Sequence, residues 1–254
     1  MEEIFLICLG LVFGSFLNVV IHRLPLGRSI VRPGSACPDC GAGIRFYDNI
    51  PVVSYLVLRG KCRECGSRIS VRYPLVELFT AFSFWLAHRY FADEPLHLAM
   101  TLVFLCLLIA LALIDFDHMI LPDELTIGGG IGFLIYAFFN PALSVWNAWG
   151  TALGTSLFFI LLYLVYLRVR KIEGLGLGDV KMVVFLGAFL GLEKCVIALL
   201  LASLSGLIVG LFLIVFRKKD LKFALPFGTF LALGSYISVF WGDDIFLTIQ
   251  LAYR

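Results

Sequence analysis

Glu173-Gly-Leu-Gly-Leu-Gly-Asp179-Val-Lys181 is the stretch whose reading decides the fold, because an apolar run, Val180–Phe216, follows it at once. After Lys181, that run of 37 residues is broken only by Glu193-Lys194. At about 1.5 Å per residue it is either one oversized helix or two crossings of slightly under 30 Å each. Basic flanks decide between them. Arg168, Arg170 and Lys171 precede the run, and Arg217-Lys-Lys219 follows it. If both clusters stay on the inner face, the run crosses twice. The glycines allow the backbone to unwind or to approach a neighbour closely. Asp179 then sits where a membrane helix begins. An ionisable group is costly there and marks a candidate functional site, although a plain N-cap is the simpler alternative.

Working outward, the rest of the chain has the same character. It has 254 residues, 61% of them hydrophobic, and a mean hydropathy of +0.98. Soluble domains are about 45–50% apolar, so the chain reads as an all-α polytopic membrane protein. The expected spans are Ile4–Ile21, Leu75–Phe91, Leu96–Ile114, Leu125–Phe139, Val145–Leu167, two within Val180–Phe216, and Phe223–Trp241. That makes about eight transmembrane helices with both termini outside. Seventeen of the 20 Lys and Arg residues then fall on the inner face, and only Arg89, Lys194 and Arg254 fall elsewhere. Met1–Ile21 begins with Glu2 and Glu3 and reads as a retained first span rather than a cleaved leader. Ile245–Arg254 is too short to span. A net charge of +2 gives no signal for nucleic acid.

His22–Pro74 is the one long polar segment, with nine basic residues against Asp39, Asp48 and Glu64. It carries Cys37-Pro-Asp-Cys40-Gly and Cys62-Arg-Glu-Cys65-Gly. Each C-x-x-C-Gly resembles a zinc knuckle, in which a tight turn aims two thiolates at one metal. Two knuckles make a closed site of four thiolates, the structural type of zinc site. Two disulfides or unbound thiols are the alternatives. The basic excess favours the cytoplasmic side, where disulfides do not persist. Between the knuckles, Ile44–Tyr47 and Val52–Leu58 are expected as short strands around a turn at Asn49-Ile-Pro51. Cys8, Cys106 and Cys195 lie in or beside apolar runs and read as packing residues.

The topology puts Asp115, at the end of the third span, and Asp179, at the start of the sixth, on one face of the membrane at one depth. Two carboxylates that share a proton and a water can hydrolyse a peptide bond. One activates the water, and the other, protonated, polarises the carbonyl. The helix ends make Asp179 the readier base and Asp115 the readier acid. Asp123 reads as the N-cap of the fourth span, Asp117 and His118 as surface residues, and Lys181 as a partner of Asp179 or a snorkelling residue. Asn18, with Gly14 and Ser15, reads as a helix–helix contact.

Gly176-Leu-Gly178-Asp179 together with Asp115 resembles the GxGD class of membrane aspartic proteases. Gly14-Ser-Phe-Leu-Asn18 through Pro25, the paired C-x-x-C motifs, Asn49-Ile-Pro51, Leu58-Arg-Gly-Lys-Cys62-Arg and Arg72-Tyr-Pro-Leu-Val-Glu77-Leu look like the bacterial type IV prepilin peptidases. The resemblance covers the chain from Gly14 to about Gly187. It implies a bifunctional enzyme of the bacterial inner membrane. Such an enzyme cleaves the basic leader of type IV prepilins and type II secretion pseudopilins, then N-methylates the new terminus with S-adenosylmethionine. It further implies Asp115 and Asp179 as the catalytic pair and Cys37, Cys40, Cys62 and Cys65 as ligands of a structural zinc ion. The corresponding segments are a first helix (1–21), a zinc-binding domain associated with methyl transfer (22–74) and a seven-helix protease domain (75–254). No dinucleotide-type glycine fingerprint locates the methyl donor beyond the neighbourhood of 22–77; Glu77 is a candidate there, and reads equally as a helix-end polar residue. The rival reading is a proton-coupled transporter with Asp115 and Asp179 as its relay. A non-catalytic scaffold leaves both acids without a role.

Overall fold

A chain in lipid must satisfy its backbone internally, so long apolar runs close into helices. The computed structural model of the protein describes residues 1–170, 176–217 and 225–252, and these fold as α-helices with short turns. Residues 173–175 of the decisive glycine stretch lie outside the described residues, as do Lys171, Lys218, Lys219, Lys222 and Arg254 of the basic flanks. The helices are α1 (Glu2–Arg23), α2 (Val53–Val57), α3 (Arg72–Phe91), α4 (Pro95–His118), α5 (Asp123–Tyr136), α6 (Val145–Arg170), α7 (Leu177–Arg217) and α8 (Phe227–Ala252). Five of them, α1, α4, α6, α7 and α8, are long and apolar enough to cross a membrane. Their outward faces are apolar too: Leu153, Leu157, Leu161 and Leu164 of α6 are all exposed. By packing, the chain divides into two compact units, Met1–Ala110 and Leu111–Arg254.

In the first unit α1 packs along α3. Small residues make this possible. A Cβ on Gly10 would lie 2.6 Å from the Cα of Ala81, and one on Gly14 would lie 2.6 Å from the Cα of Glu77. Two glycines four apart on one helix thus face two residues four apart on the other, the small-residue geometry of membrane helix pairs. Asn18 Nδ2 donates to the Tyr73 carbonyl at 3.1 Å, so it is the helix–helix contact the sequence suggested. Thr80 and Ser83 donate back to the carbonyls of Val76 and Phe79, which satisfies their hydroxyls inside α3.

The two strands expected between the knuckles do not form. Phe46–Asn49 is a 3₁₀ turn and Val53–Val57 is the short α2. Ser54 explains this locally. Its Oγ accepts from the Ile50 amide and donates to the Tyr47 carbonyl, both at 3.0 Å, so the chain curls where a strand would have to extend.

In the second unit α7 packs against α5, α6 and α8. It is not one rod: Gly191 has φ 70° and ψ 178°, which splits it into 177–190 and 192–217. The break falls two residues before the expected Glu193-Lys194. Asn147 of α6 fixes it, its Oδ1 accepting from the Leu192 amide at 3.0 Å. The two halves are unequal. The first, like α5, spans only about 21 Å. Those two short helices run side by side in the same direction. Asp123 meets Lys181 at one end, and towards the other Phe133 packs tilted against Phe189 and Tyr136 stacks on it. The last helix extends beyond the expected Trp241, through Asp243 and Asp244 to Ala252. Lys194 pairs with Asp243 at 2.8 Å, and its carbonyl accepts from Ser238.

Candidate functional site

Three helix ends build the acidic site, all in the second unit. The last turn of α4 carries Asp115, which is 5% exposed. Asp179 stands in the first turn of α7. The first turn of α8 supplies donors: the Thr229 amide reaches Asp115 Oδ2 at 2.7 Å, and the Thr229 hydroxyl lies 3.1 Å from the same oxygen. That hydroxyl is also 3.0 Å from the Ala112 carbonyl. The C-terminal end of α4 is therefore met by the N-terminal end of α8, whose free amides suit a carboxylate.

Leu121 ties the two acids to one place. A Cβ on Gly178, next to Asp179, would lie 3.3 Å from the Leu121 Cβ. A Cβ on Gly228 would lie 3.1 Å from Leu121 Cδ1 and 3.0 Å from the Asp115 carboxyl carbon. Gly178, the neighbour of Asp179, and Gly228, which packs on the Asp115 carboxyl, thus meet one leucine side chain, which brings the two acids into one region. The glycines around the site serve as points of close approach rather than left-handed turns, since neither Gly178 nor Gly228 has a positive φ.

Other acids fall differently from their sequence reading. The N-cap of α5 is Pro122, without a side-chain cap, and Asp123 instead pairs with Lys181 at 2.5 Å. Lys181 is thereby engaged with Asp123 rather than Asp179. Asp117 and His118 are exposed at the end of α4. Thr229, Gly228 and Leu121 were not singled out from sequence. Pro226-Phe-Gly-Thr229 signals a helix start, but nothing local says which carboxylate that start will meet.

The cysteines form the second cluster, in the first unit. Each knuckle closes in the same way. The Cys37 amide donates to the Ala42 carbonyl and the Gly41 amide to the Cys37 carbonyl, at 2.9 Å each. The Cys62 amide donates to Ser67 at 2.8 Å and the Gly66 amide to Cys62 at 3.0 Å. Gly41 and Gly66 take φ of 72° and 73°, the left-handed turn expected of the glycine after each pair. The sulfurs of Cys37, Cys40, Cys62 and Cys65 all lie within 4.8 Å of one another, and none is in a disulfide. Cys37 and Cys65 Sγ are 3.8 Å apart. A tetrahedral ion with metal–sulfur bonds of about 2.3 Å sets sulfurs about 3.8 Å apart, so the four could hold one metal ion. The Cys40 backbone amide, and after it the Ser67 hydroxyl, pull the Cys37 thiol down to about 6. Against the pull of the Ala42 amide, bonding with the Cys65 sulfur and burial push the Cys40 thiol up instead, to about 12, so the thiolate a metal requires is favoured at Cys37 rather than at every ligand.

Around the cluster, Arg63 grips Asp48 through two bonds of 2.8 and 2.6 Å, and Arg45 and Arg63 both lie over the Tyr47 ring. Glu77, buried on α3, accepts from the Val52 amide at 2.7 Å.

Comparison with known proteins agrees with both halves. Residues 8–91, with the cysteines, match the Bacterial Peptidase A24 N-terminal domain. Residues 102–211, with both aspartates, match the Type IV leader peptidase family. A protein of Pseudomonas putida named prepilin leader peptidase/N-methyltransferase is 38% identical over 261 residues, covering 94% of this chain and 90% of that one. Proteins of the same name from Myxococcus xanthus and Pseudomonas aeruginosa are 45% and 39% identical. They cover 83% and 94% of this chain, and 63% and 90% of their own lengths. No solved structure matches. With both family models matching in order along the chain and relatives of 38–45% identity, the chain belongs to the type IV leader peptidase family.

Proposed function

We propose that the protein removes the basic leader of type IV prepilins and type II secretion pseudopilins with Asp115 and Asp179, then methylates the new terminal amine with S-adenosylmethionine. The observation that supports the peptidase half is the convergence on Leu121 of Gly178, next to Asp179, and Gly228, packed on the Asp115 carboxyl, which brings two acids at helix ends into one region. Two carboxylates that close on one water there would hold one proton between them. One carboxylate takes a proton from water as it attacks the scissile carbonyl, and the other donates to the carbonyl oxygen. Which of the two acts as base belongs to the pair, not to either residue alone. A transporter reading is not supported by the family.

A prepilin combines a positive leader with an apolar helix. The helix lies in the bilayer while the leader junction stays at the surface. The nine basic residues of 22–74 support placing the loop and both acids on the cytoplasmic side of a multi-pass inner-membrane protein. Leaving out the five-residue α2 and counting both halves of α7, eight helical segments among the described residues support about eight crossings. The cysteine cluster suits zinc: four thiolates leave no open position, so the ion has a structural role.

The test is reconstituted protein with a prepilin, comparing Asp115→Ala and Asp179→Ala with wild type. Cleavage falls to background in both variants. Retained cleavage in either would remove that residue from the pair. Methylation of a pre-cleaved pilin survives both changes if the two activities use separate sites.

A further inference from the structure

The first unit holds a cavity of about 390 Å³ between α1, the cysteine loop and α3. That volume is within the usual range of small-molecule sites, about 300–1,000 Å³. Its most unusual lining group is Glu77. The residue is 7% exposed, yet among the described residues it has no ion-pair partner. Its carboxylate is held by the Val52 amide at 2.7 Å and by Ser15. A buried carboxylate without a cation is costly, and a cationic ligand removes the cost.

The basic residues lining the cavity do not supply that cation. Arg23 donates to the carbonyls of Ser29, Pro33 and Gly34, while Arg45 and Arg63 serve Glu64, Tyr47 and Asp48. Arg68 has no acidic partner among the described residues and is free for an anion. Buried Asn18 spends its Nδ2 on Tyr73, and its Oδ1 takes no hydrogen bond among the described residues. The wall also stores strain. Val52, a β-branched residue, sits at φ 60°, pinned by Glu77.

We propose that this cavity is the methyl-donor site, binding S-adenosylmethionine with its sulfonium and amino end against Glu77 and its carboxylate towards Arg68. The proposal rests on the methyltransferase half of the function above. The lone pair of the deprotonated terminal amine forms the new N–CH3 bond as the S–CH3 bond breaks. That bonding pair stays on sulfur, leaving a neutral thioether. The positive charge moves to the methylated nitrogen, which releases a proton to water. Glu77 thus faces a positive charge in the donor, as a group built to bind a sulfonium must.

The test is equilibrium binding of S-adenosylmethionine and of uncharged-sulfur S-adenosylhomocysteine to the purified full-length enzyme, wild type against Glu77→Gln. Glutamine keeps an oxygen for the Val52 amide, so a merely structural Glu77 predicts no change. The expected result is at least tenfold weaker binding of the sulfonium donor, with a smaller loss for the thioether. Equal binding of the donor by the variant would overturn the proposal. If a melting curve shows the variant unfolded, wild type is photolabelled with an azido analogue of the donor. Adducts within residues 15–77 support the site, and adducts only elsewhere overturn it. Wild type that cleaves leaders but neither binds the donor nor methylates would sink the methyltransferase reading itself. Normal methylation by the glutamine variant sinks only the cavity assignment.

Discussion

Asp115 and Thr229, 114 residues apart in the chain, meet through two contacts at one carboxylate oxygen, the amide at 2.7 Å and the hydroxyl at 3.1 Å. The hydroxyl also lies 3.0 Å from the Ala112 carbonyl, and its one proton serves a single acceptor at a time. It donates to Asp115 when that carboxylate is ionised. In the mechanism proposed above, when Asp115 carries the shared proton the hydroxyl would turn to Ala112 and accept instead. A group able to follow both states would suit the proposed role of Asp115, whose proton comes and goes in each turnover.

Thr229→Val removes the hydroxyl and keeps the amide. A hydrogen bond to a charged group contributes about 1.5–3 kcal/mol, so leader cleavage should slow by about 10- to 100-fold. Thr229→Ser should keep most of the rate. Single-turnover cleavage of a prepilin measures both. A valine variant as fast as wild type would reduce Thr229 to a packing residue.

The cysteine loop is too small to build a core, and its metal should supply much of its stability. Purified protein should hold one zinc per chain by elemental analysis. Replacing Cys37, Cys40, Cys62 and Cys65 by serine should abolish it. Stripping zinc with a strong chelator should open 35–70 to protease while the helices stay intact. Full metal content in the four-serine variant would contradict a four-thiolate site.

Arg63 follows Cys62 directly and clamps Asp48, so the guanidinium fastens the 3₁₀ turn to the second knuckle. That bond holds the Asp48 carboxyl below its usual range. A depressed carboxylate stabilises the fold above its unfolded value of about 3.9, and the contribution fades as pH falls through the folded value. Asp48→Asn should therefore speed zinc transfer to a chelator by the same factor at pH 7 and at pH 5. A penalty that shrinks between those two pH values would mean that Asp48 titrates there, against this account.

What was legible in the sequence was what local rules determine. C-x-x-C-Gly fixes its own turn, so Gly41 and Gly66 and the four sulfurs fell where the spacing put them. Asp115 and Asp179 stood out because charge at the edge of an apolar run needs a reason. The contacts that complete the acidic site were hidden, because Thr229 looks like any residue in a first helical turn. Lys181 chose Asp123 because parallel packing of α5 and α7 brings those two starts together, which chain order does not disclose. Val52–Leu58 has strand-like composition, but Ser54 and the turn at Ile50-Pro51 outweigh that preference where no partner strand exists. α8 extends past Trp241 through both acids, and Asp243 within that extension pairs with Lys194, a contact that chain order does not disclose.

The same first-unit geometry makes a prediction at Gly14. A Cβ there would lie 2.6 Å from the backbone of Glu77 and 3.1 Å from the Val76 carbonyl oxygen, and neither can turn aside as a flexible side chain would. Gly14→Ala must therefore push α1 away from α3. Overpacking of this kind costs about 1–3 kcal/mol, visible as a lower melting temperature in detergent. The displacement acts on the very residue that holds Val52 and faces the cavity. Binding of S-adenosylmethionine should fall in this variant by more than leader cleavage does, since Asp115 and Asp179 belong to the other compact unit. A Gly14→Ala protein with unchanged melting and donor binding would show that α1 and α3 do not pack through this glycine.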